Sequence, residues 1–139
     1  MGDLSPGRNP IRRERLARRG PAWAWAGWAL LSLFIIAGSA GHWSLSAPGI
    51  WAPTLVNPVD VAVNVALYVP FGVLGMVALR RSDFRGVLRV MGVAILFSIA
   101  NEALQLYTVD RVASLTDIAS AALGSSTGAL LVGVFTGPR

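Results

Sequence analysis

Four apolar runs, each close to twenty residues long, dominate this sequence. They cover residues 22–39, 61–79, 90–106 and 115–135. A helix needs about 20 apolar residues to cross the roughly 30 Å hydrocarbon core of a bilayer. Within lipid, a helix satisfies its backbone hydrogen bonds inside its own segment. The runs therefore predict an all-α fold, a four-helix transmembrane bundle, that forms one membrane domain over residues 22–139.

The composition agrees with a bilayer as the main partner of the chain. Of 139 residues, 54% are hydrophobic and only 14% are charged, whereas soluble domains carry about 25% charged residues. The sequence has no cysteine, which excludes disulfides, thiolate chemistry and cysteine-based metal sites. We expect a multi-pass protein of the cell membrane.

The arginines predict the orientation of the bundle. Six of the twelve lie in residues 1–21, four lie in residues 80–89, one is Arg139, and only Arg111 falls on the opposite side. The positive-inside rule then places both termini in the cytoplasm, so that residues 1–21 form an Arg-rich cytoplasmic tail. A basic segment before an apolar run also resembles a signal peptide, but the length of the run and its early tryptophans favour a retained anchor. The net charge of +5 is explained by orientation, and we expect no nucleic acid as partner because no aromatic-basic groove accompanies it.

Polar side chains interrupt the last three runs near their predicted outer ends. An ionisable residue in an apolar segment costs about 2.5–3.5 kcal/mol on insertion scales unless it is partnered, which makes it a candidate for function. Residues from different spans converge on one depth in this topology. The candidates for a ligand-binding polar cluster are Asp60, Asn64, Ser98, Glu102, Gln105, Arg111 and Asp117.

Several of these residues also have structural explanations. Ser114 and Asp117 have the spacing of a capping box at a helix start, and Arg111 can serve as an ion-pair partner. Asn64 and Gln105 can form hydrogen bonds between helices. A further set, with small side chains four residues apart, predicts close helix packing: Ser120, Gly124 and Gly128.

An ordered series of short motifs runs through the last three apolar runs. It consists of D-x-x-x-N at 60–64, Y-x-P-F-G at 68–72, S-x-x-x-E-x-x-Q at 98–105, then Arg111, Ser114 and Asp117, and Gly124 with Gly128. With these motifs the chain resembles, over about residues 55–130, the VanZ-like family of small bacterial integral membrane proteins, named after an accessory protein of teicoplanin resistance. It departs at Ala121, where the family often has asparagine. The resemblance implies an integral protein of the cell envelope and supplies no mechanism.

Three functions fit these observations. The first is an outward-facing site that binds an envelope lipid or peptide and affects cell-envelope processes or susceptibility to glycopeptide or lipophilic antibiotics, with Arg111 holding an anionic group. The second is a membrane-embedded enzyme that uses carboxylates such as Glu102, with or without Mg²⁺ or Ca²⁺. The third is a structural partner of another membrane protein or of a second copy. We expect no cofactor and no resident metal.

Overall fold

The computed structural model describes residues 20–39, 57–107 and 114–136. Regular structure within these ranges is entirely helical, which confirms the predicted all-α, four-helix architecture. Three of the helices have 22 residues and mean hydropathies of 2.0, 1.7 and 1.7, long and apolar enough to cross a membrane, while the first is apolar but shorter. The helices are α1 Ala22–Ser39, α2 Pro58–Leu79, α3 Phe84–Gln105 and α4 Leu115–Thr136.

Local capping sets both ends of α2. The side chain of Asn57 accepts the backbone N–H of Val59 at 3.0 Å, and Pro58 occupies the first helical position, where its missing N–H costs nothing. The helix therefore begins three residues before the predicted span. It ends at Arg80, which adopts the left-handed conformation (φ 48°, ψ 46°) and directs its N–H to the carbonyls of Met76 and Val77.

The start of α3 lies six residues before the apolar run that predicted it. Asp83 is the N-cap, and its carboxylate accepts the backbone N–H of Gly86 at 3.2 Å. Arg85 and Arg89 therefore belong to the helix. Hydropathy alone does not reveal this start. The first turns of α3 contain two arginines, which lower the hydropathy, and the residue that caps the helix is a polar aspartate.

Close backbone contact joins α2 to α4, the pair with the most extensive packing in the bundle. A Cβ atom on Gly128 would strike the carbonyl of Val69, and one on Gly124 would strike the carbonyl of Val65. Gly72 makes the reciprocal approach from α2 toward α4. The absence of side chains at these positions allows the two helices to come together without a layer of side chains between them.

Aromatic side chains link α1 to the rest of the bundle. The ring of Phe71 lies 5.1 Å from that of Trp28 on α1, 5.6 Å from that of Tyr68 on α2 and 5.8 Å from that of Phe97 on α3. Ala121 on α4 is buried in the same apolar cluster. A second apolar cluster lies toward the other end of the bundle and consists of Met76, Val87, Val90 and Ala129.

The helix ends gather into two groups. At the arginine end, defined by residues 80–89, Gly20 before α1 lies against Ala78, and Gly133 near the end of α4 lies close to the carbonyl of Ser82. At the opposite end, here called the cluster end, lie the start of α2, the end of α3 and the start of α4. One hydrogen bond between side chains joins α2 to α4, and another from a backbone N–H to a side chain joins the start of α4 to α3. The candidate residues of α2, α3 and α4 are distributed from the middle of the bundle to this second end.

Candidate functional site

A buried carboxylate on α3 anchors the cluster end. Glu102 is only 1% exposed, and its Oε2 accepts the backbone N–H of Ser114 at 2.6 Å. Burying an ionised carboxylate is costly unless it is hydrogen-bonded or paired. The bond meets part of that requirement and fixes the start of α4 against the last turn of α3.

The start of α4 uses only half of the capping box that its sequence predicts. Ser114 is the N-cap, since its Oγ accepts the N–H of Thr116 at 3.2 Å and its carbonyl accepts the N–H of Asp117 at 3.2 Å. In a capping box the acidic residue at the third helical position accepts the N–H of the N-cap residue. Here Glu102 of the preceding helix accepts that N–H, and the carboxylate of Asp117 has a partner in another helix.

That partner is Asn64 on α2. Its Nδ2 donates to Oδ1 of Asp117 at 2.8 Å, across 53 positions of the sequence and in a partly buried setting. Both side chains keep some exposure, unlike Glu102. The bond ties α2 to α4 and places an amide and a carboxylate at the accessible margin of the site.

Tyr68 on α2 lies near both carboxylates. Its side chain is 4% exposed and is hydrogen-bonded to that of Ser98, while the charges of Glu102 and Asp117 both act on its hydroxyl. Tyr68 is absent from the residues that the sequence nominated. It was detectable, because Asn64 and Tyr68 are four residues apart on one face of a helix.

The polar stripe of α3 faces the interior of the bundle. Ser98, Glu102 and Gln105 are all buried, as is Asn101, which the sequence did not nominate. Asn101, Glu102 and Gln105 also interact with groups other than those described above. The face of α3 that points into the bundle therefore carries the polar groups that would have no hydrogen-bond partners in lipid.

Two nominated residues stand apart from this arrangement. Asp60 is exposed in the first turn of α2, where the helix dipole stabilises its negative charge. Among the described residues its side chain has no hydrogen bond or ion pair. Arg111 lies outside the described residues. We use the name polar cluster for Asn64, Tyr68, Ser98, Glu102, Ser114 and Asp117.

The nominated packing residues lie on α4 below the cluster. Ser120 is buried and donates from Oγ to the carbonyl of Thr116 at 2.8 Å, which satisfies the hydroxyl within its own helix. Gly124 and Gly128 follow at four-residue spacing and contact the backbone of α2. This small-residue stripe is thus occupied inside the chain.

The comparisons with known proteins agree with the motifs of the cluster. The model of the family VanZ/LLP1 matches residues 16–136. The chain belongs to the VanZ/LLP1 family. The matched range includes all four helices of this VanZ/LLP1 protein and every member of its polar cluster, so the resemblance proposed from the motifs is confirmed. No curated protein and no solved structure matches the chain.

The structure shows where Ala121 lies, the position at which this chain differs from the asparagine often found in the family. In this VanZ/LLP1 protein the position is fully buried in the apolar cluster around Phe71. Ala121 lies four residues after Asp117, so an asparagine there would sit one helical turn from the polar cluster. With alanine, this position adds a side chain to the apolar cluster around Phe71 and no polar group to the polar cluster.

The described part of the chain offers no ready metal site. No three histidine, cysteine, aspartate or glutamate side chains in residues 20–39, 57–107 and 114–136 are grouped so that they could hold an ion. Asp60, Glu102 and Asp117 share one end of the VanZ/LLP1 bundle without forming such a group. The geometry therefore gives the metal-assisted hypothesis no support from these residues.

Proposed function

We propose that this membrane protein binds the polar part of an envelope lipid or peptide at the polar cluster, and that it acts in cell-envelope processes or in susceptibility to glycopeptide or lipophilic antibiotics. The proposal rests on the observation that α2, α3 and α4 bring two carboxylates, a tyrosine and an amide together inside an apolar bundle. Polar groups at such a depth are costly in lipid and are typical of functional sites. The proposal includes a multi-pass topology with both termini in the cytoplasm, so that the cluster end faces outward.

The cluster divides into two parts with different tasks. The Glu102–Ser114 and Tyr68–Ser98 bonds are deeply buried and hold the helices in place. The Asn64–Asp117 pair is partly exposed, and a ligand could exchange hydrogen bonds with it. The inner part thus orients the outer part, which makes the ligand contact.

Arg111 supplies the cationic group in this proposal. It lies between α3 and α4 in the sequence, three residues before Ser114, whose N–H is fixed by Glu102. A guanidinium recognises carboxylate and phosphate through paired hydrogen bonds. The ligand class is therefore one with an anionic group, such as a lipid phosphate or a peptide carboxylate.

The test is complementation of a deletion strain, with susceptibility to a glycopeptide and to a lipophilic antibiotic as readout. Glu102→Gln keeps an oxygen for the Ser114 N–H but removes the charge, and Arg111→Ala removes the cation. We expect both variants to insert in the membrane and to lose the phenotype. Asp60→Asn is the matched control, since it removes a carboxylate at the same end but outside the polar cluster. Wild-type susceptibility with both Glu102→Gln and Arg111→Ala would rule out the site.

The small-residue stripe gives little support to the third hypothesis, a structural partner docked through that stripe. Gly124 and Gly128 already contact α2 of the same chain, so they offer no open surface to another helix. The enzyme hypothesis lacks a distinguishing observation of its own. Ligand binding is therefore the function that the geometry of the cluster supports best.

A further inference from the structure

A second group of charges lies at the arginine end, far from the polar cluster along the helices. Four arginines and a single aspartate fall within residues 80–89, which leaves an excess of three positive charges. All five side chains are exposed. Asp83 pairs with Arg81, with 3.6 Å between Oδ2 and Nη1. Arg85 and Arg89 have no ion-pair partner within the described part of the chain.

The turn that carries these charges has a defined geometry. The left-handed conformation of Arg80 reverses the chain, and the N–H of Arg81 donates to the carbonyl of Met76 at 3.0 Å. Asp83 then caps α3 through Gly86. A Cβ on Gly86 would lie 2.6 Å from the Cβ of Arg81 and 3.1 Å from the sulfur of Met76. Glycine at this position therefore lets Arg81 pack against the first turn of α3, on the helix that presents the other arginines.

The first turns of α3 combine a basic stripe with an apolar one. Arg85 and Arg89 are four residues apart and share a face of the helix. Phe84 and Leu88 occupy the neighbouring face and are 69% and 45% exposed. At the end of a membrane helix, this combination matches the chemistry of a phospholipid, with acyl chains beside the apolar stripe and a phosphate beside the guanidinium groups.

The surroundings of this turn favour a lipid over other anions. The start of α1 and the end of α4 pack around the same end of the bundle, and six arginines precede Gly20 in the sequence. The other described acidic residues, Asp60, Glu102 and Asp117, lie on α2, α3 and α4 away from the turn. A basic surface at the end of three membrane-length helices faces headgroups, whereas a nucleic acid would not occupy the exposed Phe84 and Leu88.

We infer that Arg81, Arg85 and Arg89 form a binding site for the phosphate of an anionic phospholipid, with the acyl chains of that lipid along Phe84 and Leu88. Guanidinium groups on a fixed turn and on the first turns of the helix that follows it can hold one phosphate with several charge-assisted hydrogen bonds. The site is independent of the proposed ligand site at the polar cluster. It anchors the α2–α3 turn at the leaflet that surrounds the arginine end.

The experiment titrates phosphatidylglycerol or phosphatidylcholine into purified full-length protein in detergent and counts bound lipid by native mass spectrometry. We expect tighter binding of phosphatidylglycerol by the wild type. A hydrogen bond from one guanidinium to the bound phosphate contributes about fivefold in affinity, so the Arg85→Gln/Arg89→Gln variant should bind about 25-fold more weakly. Each single variant should lose about fivefold, which keeps the test decisive if the double variant does not fold. Arg85→Lys/Arg89→Lys retains the charge and should keep most of the affinity.

A charge-matched control separates a site from a general effect of charge. Arg12→Gln/Arg13→Gln removes two arginines from the segment before α1, outside the proposed site, and in about 0.15 M salt, which screens charges that do not contact the phosphate, it should change the affinity for phosphatidylglycerol by less than about twofold. Equal losses in this control and in the α3 variant would show that binding follows total charge and would overturn the inference. Unchanged affinity in the single and double α3 variants would do the same.

Discussion

The bond between Glu102 and the N–H of Ser114 allows a quantitative test of how the cluster end is held. Replacing Glu102 with alanine removes the acceptor from a donor whose residue is only 8% exposed. An unsatisfied buried donor costs about 1–3 kcal/mol, and the space left by the side chain adds to this cost. We expect the free energy of unfolding to fall by about 3 kcal/mol. Glu102→Gln keeps an oxygen in place and should lose about 1 kcal/mol, the difference between a charge-assisted and a neutral hydrogen bond.

Two measurements on the same variants check this prediction. Denaturant titration in micelles gives the free energy of unfolding, and hydrogen exchange reports the protection of the Ser114 amide itself. For Glu102→Ala we expect that amide to exchange about a hundredfold faster, which corresponds to about 3 kcal/mol of lost protection. Helix content by circular dichroism provides the control for global folding. Wild-type stability together with unchanged exchange at Ser114 would refute the reasoning, because it would mean that the bond does not hold α4.

Three further substitutions test the packing around the cluster by denaturant titration. Gly128→Ala should destabilise the bundle by about 2 kcal/mol, since the new methyl group overlaps the backbone of α2. Gly92→Ala is the control, because a Cβ at that position meets nothing within 4 Å, and it should be neutral or stabilising. Phe71→Ala should cost about 3 kcal/mol through the cavity among its aromatic neighbours. Asn64→Ala should cost about 1–2 kcal/mol, because Asp117 loses a hydrogen bond; equal stability of all three variants and wild type would contradict the packing described.

The sequence predicted the helices better than their ends. Apolar length identifies a membrane helix, but it does not show where polar caps start it. For α3 the cap is Asp83, and the helix therefore includes two arginines that hydropathy assigned to a loop. The predicted first span, α1, is a helix but is shorter than the other three, so a fourth crossing remains a prediction from composition.

The candidate site was predictable where one helix carries the pattern. Ser98, Glu102 and Gln105 share a stripe, and all three are buried. Pairings between helices were harder to foresee, because spacing within one helix does not show what its neighbours offer. Asp117 thus had the position of a local capping residue but binds Asn64 on α2. Tyr68 entered the sequence analysis only within the Y-x-P-F-G motif of the resemblance, although its hydroxyl reaches Ser98.

The central claim is that the polar cluster binds an anionic envelope ligand, and a dissociation constant tests it most directly. The measurement titrates a polyprenyl phosphate and, separately, a peptide with a free terminal carboxylate into the full-length wild type and into Arg111→Gln and Asp60→Asn. We expect saturable binding of at least one probe, weakened about tenfold or more by Arg111→Gln, which removes the hydrogen bonds of a charged group to the anion, and unaffected by Asp60→Asn. Equal affinities in all three proteins, or no saturable binding of either probe, would contradict the claim.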